Sequence, residues 1–332
     1  MKTKIALYGL MSGLLVLAAS AVLTAPASRA QTLVLNGMRA AAEAGDAGSQ
    51  NALGLAYENG QFSEVDLAQS VTWFQKSADQ GNPCGERNLG LMFAEGKGVK
   101  QDFTEAVIWL GKAADQNVYS AQNSLGMLYI EGKGVPQDLA QGVKWLGKAA
   151  DGNYYKAQEN LARLYLHGPG VPQDDARAFK LVRAAADQNY AAAQSTLGWM
   201  YSVGRGVARD DAEAVKWLQR AVDHNNYAEA QNSLGLMFEQ GRGVKQDSTA
   251  AVALYRKAAE CGYGPAQNNL AIACALGQGT AKDSVEACKW FELAATHGDK
   301  HGADIRDTLD KAMTPRQIAE AEKRVHEFRS KG

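Results

Sequence analysis

Most of what would mark an enzyme or a nucleic-acid binder is missing from this chain of 332 residues. Acidic and basic side chains nearly cancel, 36 against 35, so no surplus of positive charge points to a phosphate backbone. The five histidines are scattered; His297 and His301 are four apart, but Gly298 and Asp299 between them read as a turn, and no zinc motif is present. The Gly-x-Gly segments are not nucleotide loops, because no strand pattern precedes them and no Gly-Lys-Ser/Thr comes after. No Ser/His/Asp or Cys/His constellation can be assembled without assuming spatial neighbours, so no catalytic residue, metal ligand or cofactor is assigned. Cysteine is scarce, with four in the chain.

Repetition, by contrast, is abundant. Leu53, Leu89, Leu125, Leu161, Leu197, Leu234 and Leu270 are spaced by 36 residues throughout, except for one step of 37. A fixed period of this size marks a solenoid. In the copy Ala121–Lys156, the residues Ala121, Leu125, Gly126 and Tyr129 gather on one helical face and lead to a turn at Gly132. A Gly recurs there in all seven copies (Gly60, Gly96, Gly132, Gly168, Gly204, Gly241, Gly277), as a helix C-terminus of positive φ requires, and a second Gly stands two residues later in six.

Each turn then reaches an Asp: Asp66, Asp102, Asp138, Asp174, Asp210, Asp247 and Asp283. These carboxylates are expected to cap the next helix rather than to do chemistry, with Glu105, Gln141, Glu213 and Glu286 three residues on completing capping boxes. That second helix carries Trp73, Trp109, Trp145, Leu181, Trp217, Leu254 or Trp290 and closes on a small pair such as Ala149/Ala150. Each copy is a helical hairpin that cannot bury its apolar faces alone, and stacking completes the core.

The combination of Ala, Leu-Gly, Tyr, Gly-x-Gly-Val, Asp, Ala-x-x-Trp and Ala-Ala in a frame of 36 resembles the Sel1-like repeat family, relatives of tetratricopeptide repeats, over about residues 49–299. The resemblance implies an all-α, right-handed α-solenoid of seven helix-turn-helix repeats with terminal capping helices. It also implies a non-enzymatic scaffold that binds other proteins, often in a bacterial envelope. A minority of the family, the cysteine-rich type, is linked to β-lactam binding or hydrolysis, so the alternative is a β-lactam or cell-wall amide hydrolase. Those members carry a Cys pair in repeat after repeat, and this chain does not.

The ends divide the chain further. Lys2 and Lys4, an apolar stretch from Ile5 to Leu23 and small residues up to Ala30 read as a secretory signal over residues 1–30; the apolar length nearly permits an uncleaved anchor, but the small residues and Pro26 favour cleavage, expected after Ala30. Losing Lys2, Lys4 and Arg29 leaves 32 basic against 36 acidic residues, and no membrane span remains. The expected location is periplasmic or secreted. Residues 31–48, with Ala41 and Ala42 in frame, read as an N-terminal capping half-repeat; residues 300–332 read as C-terminal capping helices, with Thr314-Pro315 and Gln317 opening the last of them. In an exported chain cysteines can pair; Cys274 and Cys288 fall about level across one hairpin and are the nominated disulfide, worth roughly 3 kcal/mol in the chain-entropy model.

If the Leu column faces the core, residues two before and two after it point the other way. The first set is polar: Asn51, Arg87, Asn123, Glu159, Ser195, Asn232 and Asn268. The second is apolar at six of seven positions: Leu55, Leu91, Met127, Arg163, Trp199, Leu236 and Ile272. Apolar anchors beside an Asn ladder suit a groove for an extended peptide or a helix of a protein partner in the envelope, with Trp199 as the principal anchor; packing between adjacent first helices is the competing account. The basic residues between the turn glycines, Lys97, Lys133, Arg205 and Arg242, read as a solvated edge. The expected role is therefore an exported adaptor that regulates or assembles an envelope process, such as signalling or polysaccharide export.

Overall fold

The computed structural model shows a left-handed glycine after the first helix in six of the seven repeats and an aspartate starting the second helix in all seven. It describes residues 29–61, 64–168, 170–225, 227–296 and 301–330, in seventeen helices with no strand among them. The secretory signal expected over residues 1–30 lies outside these residues except for its last two, which open α1 (Arg29–Glu43).

The first helices of the seven repeats are α2 (Ala47–Glu58), α4 (Pro83–Glu95), α6 (Tyr119–Glu131), α8 (Tyr155–His167), α10 (Ala191–Val203), α12 (Ala228–Gln240) and α14 (Gly264–Leu276). Their partners are α3 (Leu67–Asp79), α5 (Phe103–Asp115), α7 (Leu139–Asp151), α9 (Asp175–Asp187), α11 (Asp211–Asn225), α13 (Ser248–Glu260) and α15 (Ser284–Thr296). Two further helices complete the chain, α16 (His301–Ala312) and α17 (Pro315–Arg329). The chain forms two units, residues 1–137 and 138–332.

All seven aspartates cap as expected, each accepting one or two backbone N–H bonds at the start of its helix, as Asp102 does from Thr104 and Glu105 at 2.9 and 3.1 Å. The expected capping boxes do not form beside them. Glu105 and Glu286 accept the indole N–H of Trp109 and Trp290, one turn on, at 3.1 and 2.8 Å, and Glu213 holds Lys216. A full box forms at α17, where Thr314 and Gln317 bond each other reciprocally.

The first turn glycine has positive φ in six repeats; Gly168, at φ −70°, is extended and departs from the expectation. The second glycine has a different function. A Cβ on Gly98 would stand 2.2 Å from the carbonyl oxygen of Leu67, and one on Gly243 would stand 2.1 Å from that of Asp211. Each of these turns is thus pressed against the start of the preceding repeat's second helix, at a spacing that a side chain forbids.

In the first unit the core runs through Leu53, Phe74, Leu89, Leu110 and Leu125, all at most 3 % exposed. Gly54 and Gly90 come next to two of these leucines because Phe74 and Leu110 lie on the backbone there, 2.6 and 2.7 Å from where a Cβ would be. In the second unit Gly198 and Gly235 admit Leu218 and Tyr255 in the same way. Each buried leucine contributes about 1.5–3 kcal/mol by leaving water.

A ladder of glutamines ties each first helix to the helix before it, and a row of cation–indole pairs recurs within the second helices; neither is singled out by the sequence. Gln50, Gln122, Gln194 and Gln267, three residues before the core leucine, are buried and donate to the carbonyls of Ala42, Ala114, Ala186 and Ala259, which end the preceding helix. These amides satisfy carbonyls that the helix itself leaves open. On the second helices a cation lies over each of four tryptophans from three residues on: Lys76 on Trp73, Lys112 on Trp109, Lys148 on Trp145 and Arg220 on Trp217, at 3.7–4.4 Å from the ring centre.

The C-terminal end closes on α15. Phe328 meets Trp290 edge to face at 5.3 Å, Val325 is buried beside it, and Arg324 reaches Glu286 at 3.1 Å. Burial alone would raise the Glu286 carboxyl, but Lys289 and Arg324 outweigh it and hold the carboxyl below its ordinary range. The nominated Cys274–Cys288 bond is absent from this structure: both are buried free thiols, and Cys288 Sγ bonds Asp310 of α16 at 2.9 Å.

Candidate functional site

The two columns expected to face a partner separate into buried and accessible parts. Ser195, Asn232 and Asn268 are at most 7 % exposed, between helices. Asn51 and Asn232 each accept an amide from the next repeat, Asn88 Nδ2 and Asn269 Nδ2, both at 2.8 Å. Asn51 and Asn232 are therefore engaged by the residue just before the next repeat's core leucine, where they were expected to wait for a partner's backbone. Arg87, Asn123, Leu55, Leu91, Met127, Leu236 and Ile272 are half-buried; Leu55 leans on the first unit's core, and Leu236 and Ile272 on the cluster around Trp290. These three serve the packing account at least as well as the groove account.

Glu159, Arg163 and Trp199 behave differently. They come together around a cavity of about 280 Å³ in the second unit, contributed by three successive repeats. From α8 come Glu159, Ala162, Arg163 and Leu166, spaced at three and four residues so that they form one stripe, with His167 at the helix end. From α10 come Thr196 and Trp199, one turn apart, and from the first turn of α12 comes Glu229. Val182 of α9 closes the floor.

Trp199 is half-buried, packed against the core cluster that contains Leu166, Val182 and Leu197. It is held from one side by Arg205, whose guanidinium carbon is 5.6 Å from the ring centre, and its ring lies 6.3 Å from that of His167. Arg205 is itself fixed: Nε meets Asp175 at 3.0 Å and Nη2 donates to the carbonyl of Leu166 at 2.7 Å. Arg242 repeats this arrangement one repeat later, on Asp211 and the carbonyl of Ser202. The basic edge expected from the turns is thus of two kinds. Lys97 and Lys133 pair with Glu95 and Glu131 as half-exposed neighbours, whereas the two arginines pin one turn to the next.

At the other end of the cavity the two carboxylates act on tyrosines. Tyr227 Oη donates to Glu229 Oε2 at 3.2 Å, and Glu159 acts electrostatically on Tyr190. Burial, and then these carboxylates, push both phenols up to about 12, so they remain protonated donors. Arg163 is exposed and its Nη2 donates to Asn160 at 2.7 Å. The arrangement has an apolar floor, an indole wall and charged rims. It can grip a side chain, and among the described residues no group of metal-binding side chains accompanies it.

The model of the Sel1 repeat matches the chain seven times, over residues 47–82, 85–118, 120–154, 156–190, 191–226, 228–263 and 264–299. No curated protein matches it. Among solved structures, a protective antigen of uropathogenic Escherichia coli displaying an SLR fold is 33% identical, with a TM-score of 0.73 over 87% of this chain and 64% of its own. The chain therefore spans somewhat less than two thirds of that relative's length. A Sel1 repeat protein from Oxalobacter formigenes is also 33% identical, with a TM-score of 0.65 over 87% of this chain and 83% of its own.

Proposed function

The chain belongs to the Sel1 repeat family, and from that premise we propose that it is an exported scaffold whose partner protein docks on the first-helix face, anchored at Trp199. Sel1 repeat proteins generally mediate protein–protein interaction. The observation that carries the more specific reading is the cavity itself. Glu159, Arg163 and Trp199 lie in three-dimensional register on α8 and α10 and leave a large indole half-open above a built floor. Half-open aromatic side chains in a walled recess are where interfaces concentrate their binding energy. The leader pattern at the N-terminus supports a partner in the cell envelope or beyond it.

A photo-crosslinking residue at Arg163 tests this. It is expected to capture a discrete partner from an envelope fraction, and Trp199→Ala is expected to abolish capture while the circular dichroism spectrum stays helical. A crosslinker at Lys180, exposed on α9, is the control. Equal capture from both positions, or capture that survives in folded Trp199→Ala, would overturn the docking face. Fractionation of cells into periplasm, medium and cytoplasm tests the location separately.

A further inference from the structure

The cavity's charge identifies what should fill it. Of the two arginines at its basic end, Arg205 is neutralised by Asp175, with His167 Nε2 3.4 Å from Arg205 Nη1. Arg163 is the remaining full charge, turned to Asn160 and open to solvent. Against it stand two carboxylates, Glu159 and Glu229, brought in from α8 and α12, two repeats apart.

Neither carboxylate forms an ion pair within 4.0 Å among the described residues, and Glu229 accepts the hydroxyl of Tyr227 at 3.2 Å. Both acids line the same recess. Glu229 alone could serve as the acid of a helix first turn. Glu159 sits in the second turn of its own helix, where that account does not apply.

We propose that the cavity receives a basic side chain of the partner, an arginine or a lysine. Its cationic head sits between Glu159 and Glu229, and its aliphatic stem lies along Leu166, Val182 and Trp199. This rests on the docking face proposed above and names the chemistry that the face selects. Long cationic side chains match such a site because their stems are apolar and their heads carry the charge. Two acids without a cation between them give the complementarity that selects one partner sequence over another.

The test uses the full chain, labelled with ¹⁵N, and tracks the indole N–H of Trp199, assigned by its loss in Trp199→Phe. The probes are N-acetylarginine amide, the uncharged isostere N-acetylcitrulline amide, and N-acetylglutamate amide. The arginine probe is expected to shift the Trp199 signal saturably and about fivefold more tightly than citrulline. Glu159→Gln combined with Glu229→Gln should remove that preference while leaving the other indole signals in place. Equal affinity for arginine and citrulline overturns the proposal and leaves the docking face standing. Tighter binding of the glutamate probe overturns it in favour of an anion at Arg163. A Trp199 signal that no probe moves also overturns it, and crosslinking from Arg163 then decides separately whether a partner docks there.

Discussion

Arg242 reaches back from its turn to Asp211, the first residue of the preceding repeat's second helix, with Nη2 2.6 Å from Oδ1 and Nε 3.3 Å from Oδ2. Its Nη2 also donates to the carbonyl of Ser202 at 2.5 Å. One guanidinium thus joins the end of one helix, the start of the next and the turn of the repeat after it. The side chains are 30 % and 22 % exposed, so the pair is partly shielded from solvent screening.

Hydrogen bonds from Arg209 and then Arg242 hold the Asp211 carboxyl well below the ordinary 3.8, at about 2. A folded-state value below the unfolded one means that the stabilisation is complete above about pH 4 and is lost as pH falls toward about 2. Arg242→Ala should lower stability by about 1–2 kcal/mol at pH 7. Urea unfolding at pH 7 and pH 3 checks this: the gap between wild type and variant should narrow in acid, and a gap independent of pH would show that the ion pair is not its source.

Glycines in different places should respond oppositely to alanine. Gly243 has φ +67° and its added Cβ would stand 2.1 Å from the Asp211 oxygen, so Gly243→Ala should cost at least about 2 kcal/mol. Gly111 lies inside α5 with nothing near its added Cβ, and Gly111→Ala should stabilise by about 0.5–1 kcal/mol. Thermal melts of the two variants should move in opposite directions; a shift of the same sign in both would contradict the close approach at Gly243.

The thiols should divide in pairs. Cys84 and Cys261 are exposed, whereas burial pushes the Cys274 thiol up, and burial with the Asp310 carboxylate pushes Cys288 up to about 12. A chromogenic disulfide reagent at pH 8 should titrate two thiols quickly in the native protein and four after denaturation. Two in both states would instead establish the Cys274–Cys288 bond nominated from spacing.

The repeat frame is legible because each of its marks is local. Asp102 caps the amides two and three residues ahead of it, Gly96 ends its own helix, and Leu89 recurs every 36 residues, so spacing alone finds them. The departures come from neighbours in space. Glu105 turns from the helix start to the indole of Trp109, and Asn232, polar and on the far side of the wheel from the core leucine, takes an amide from Asn269 of the next repeat.

Sequence by itself determined the all-helical class, the number and length of the hairpins, their caps and the core leucines, because helix periodicity and capping act over a few residues. Tertiary structure decided which members of two equivalent columns remain accessible. Seven residues sit two places after a core leucine, yet Trp199 and Arg163 are the ones that join Glu159 around a cavity, since its walls come from α8, α9, α10 and α12 at once. Burial depends on the neighbouring repeats, and a column read along the chain does not contain them.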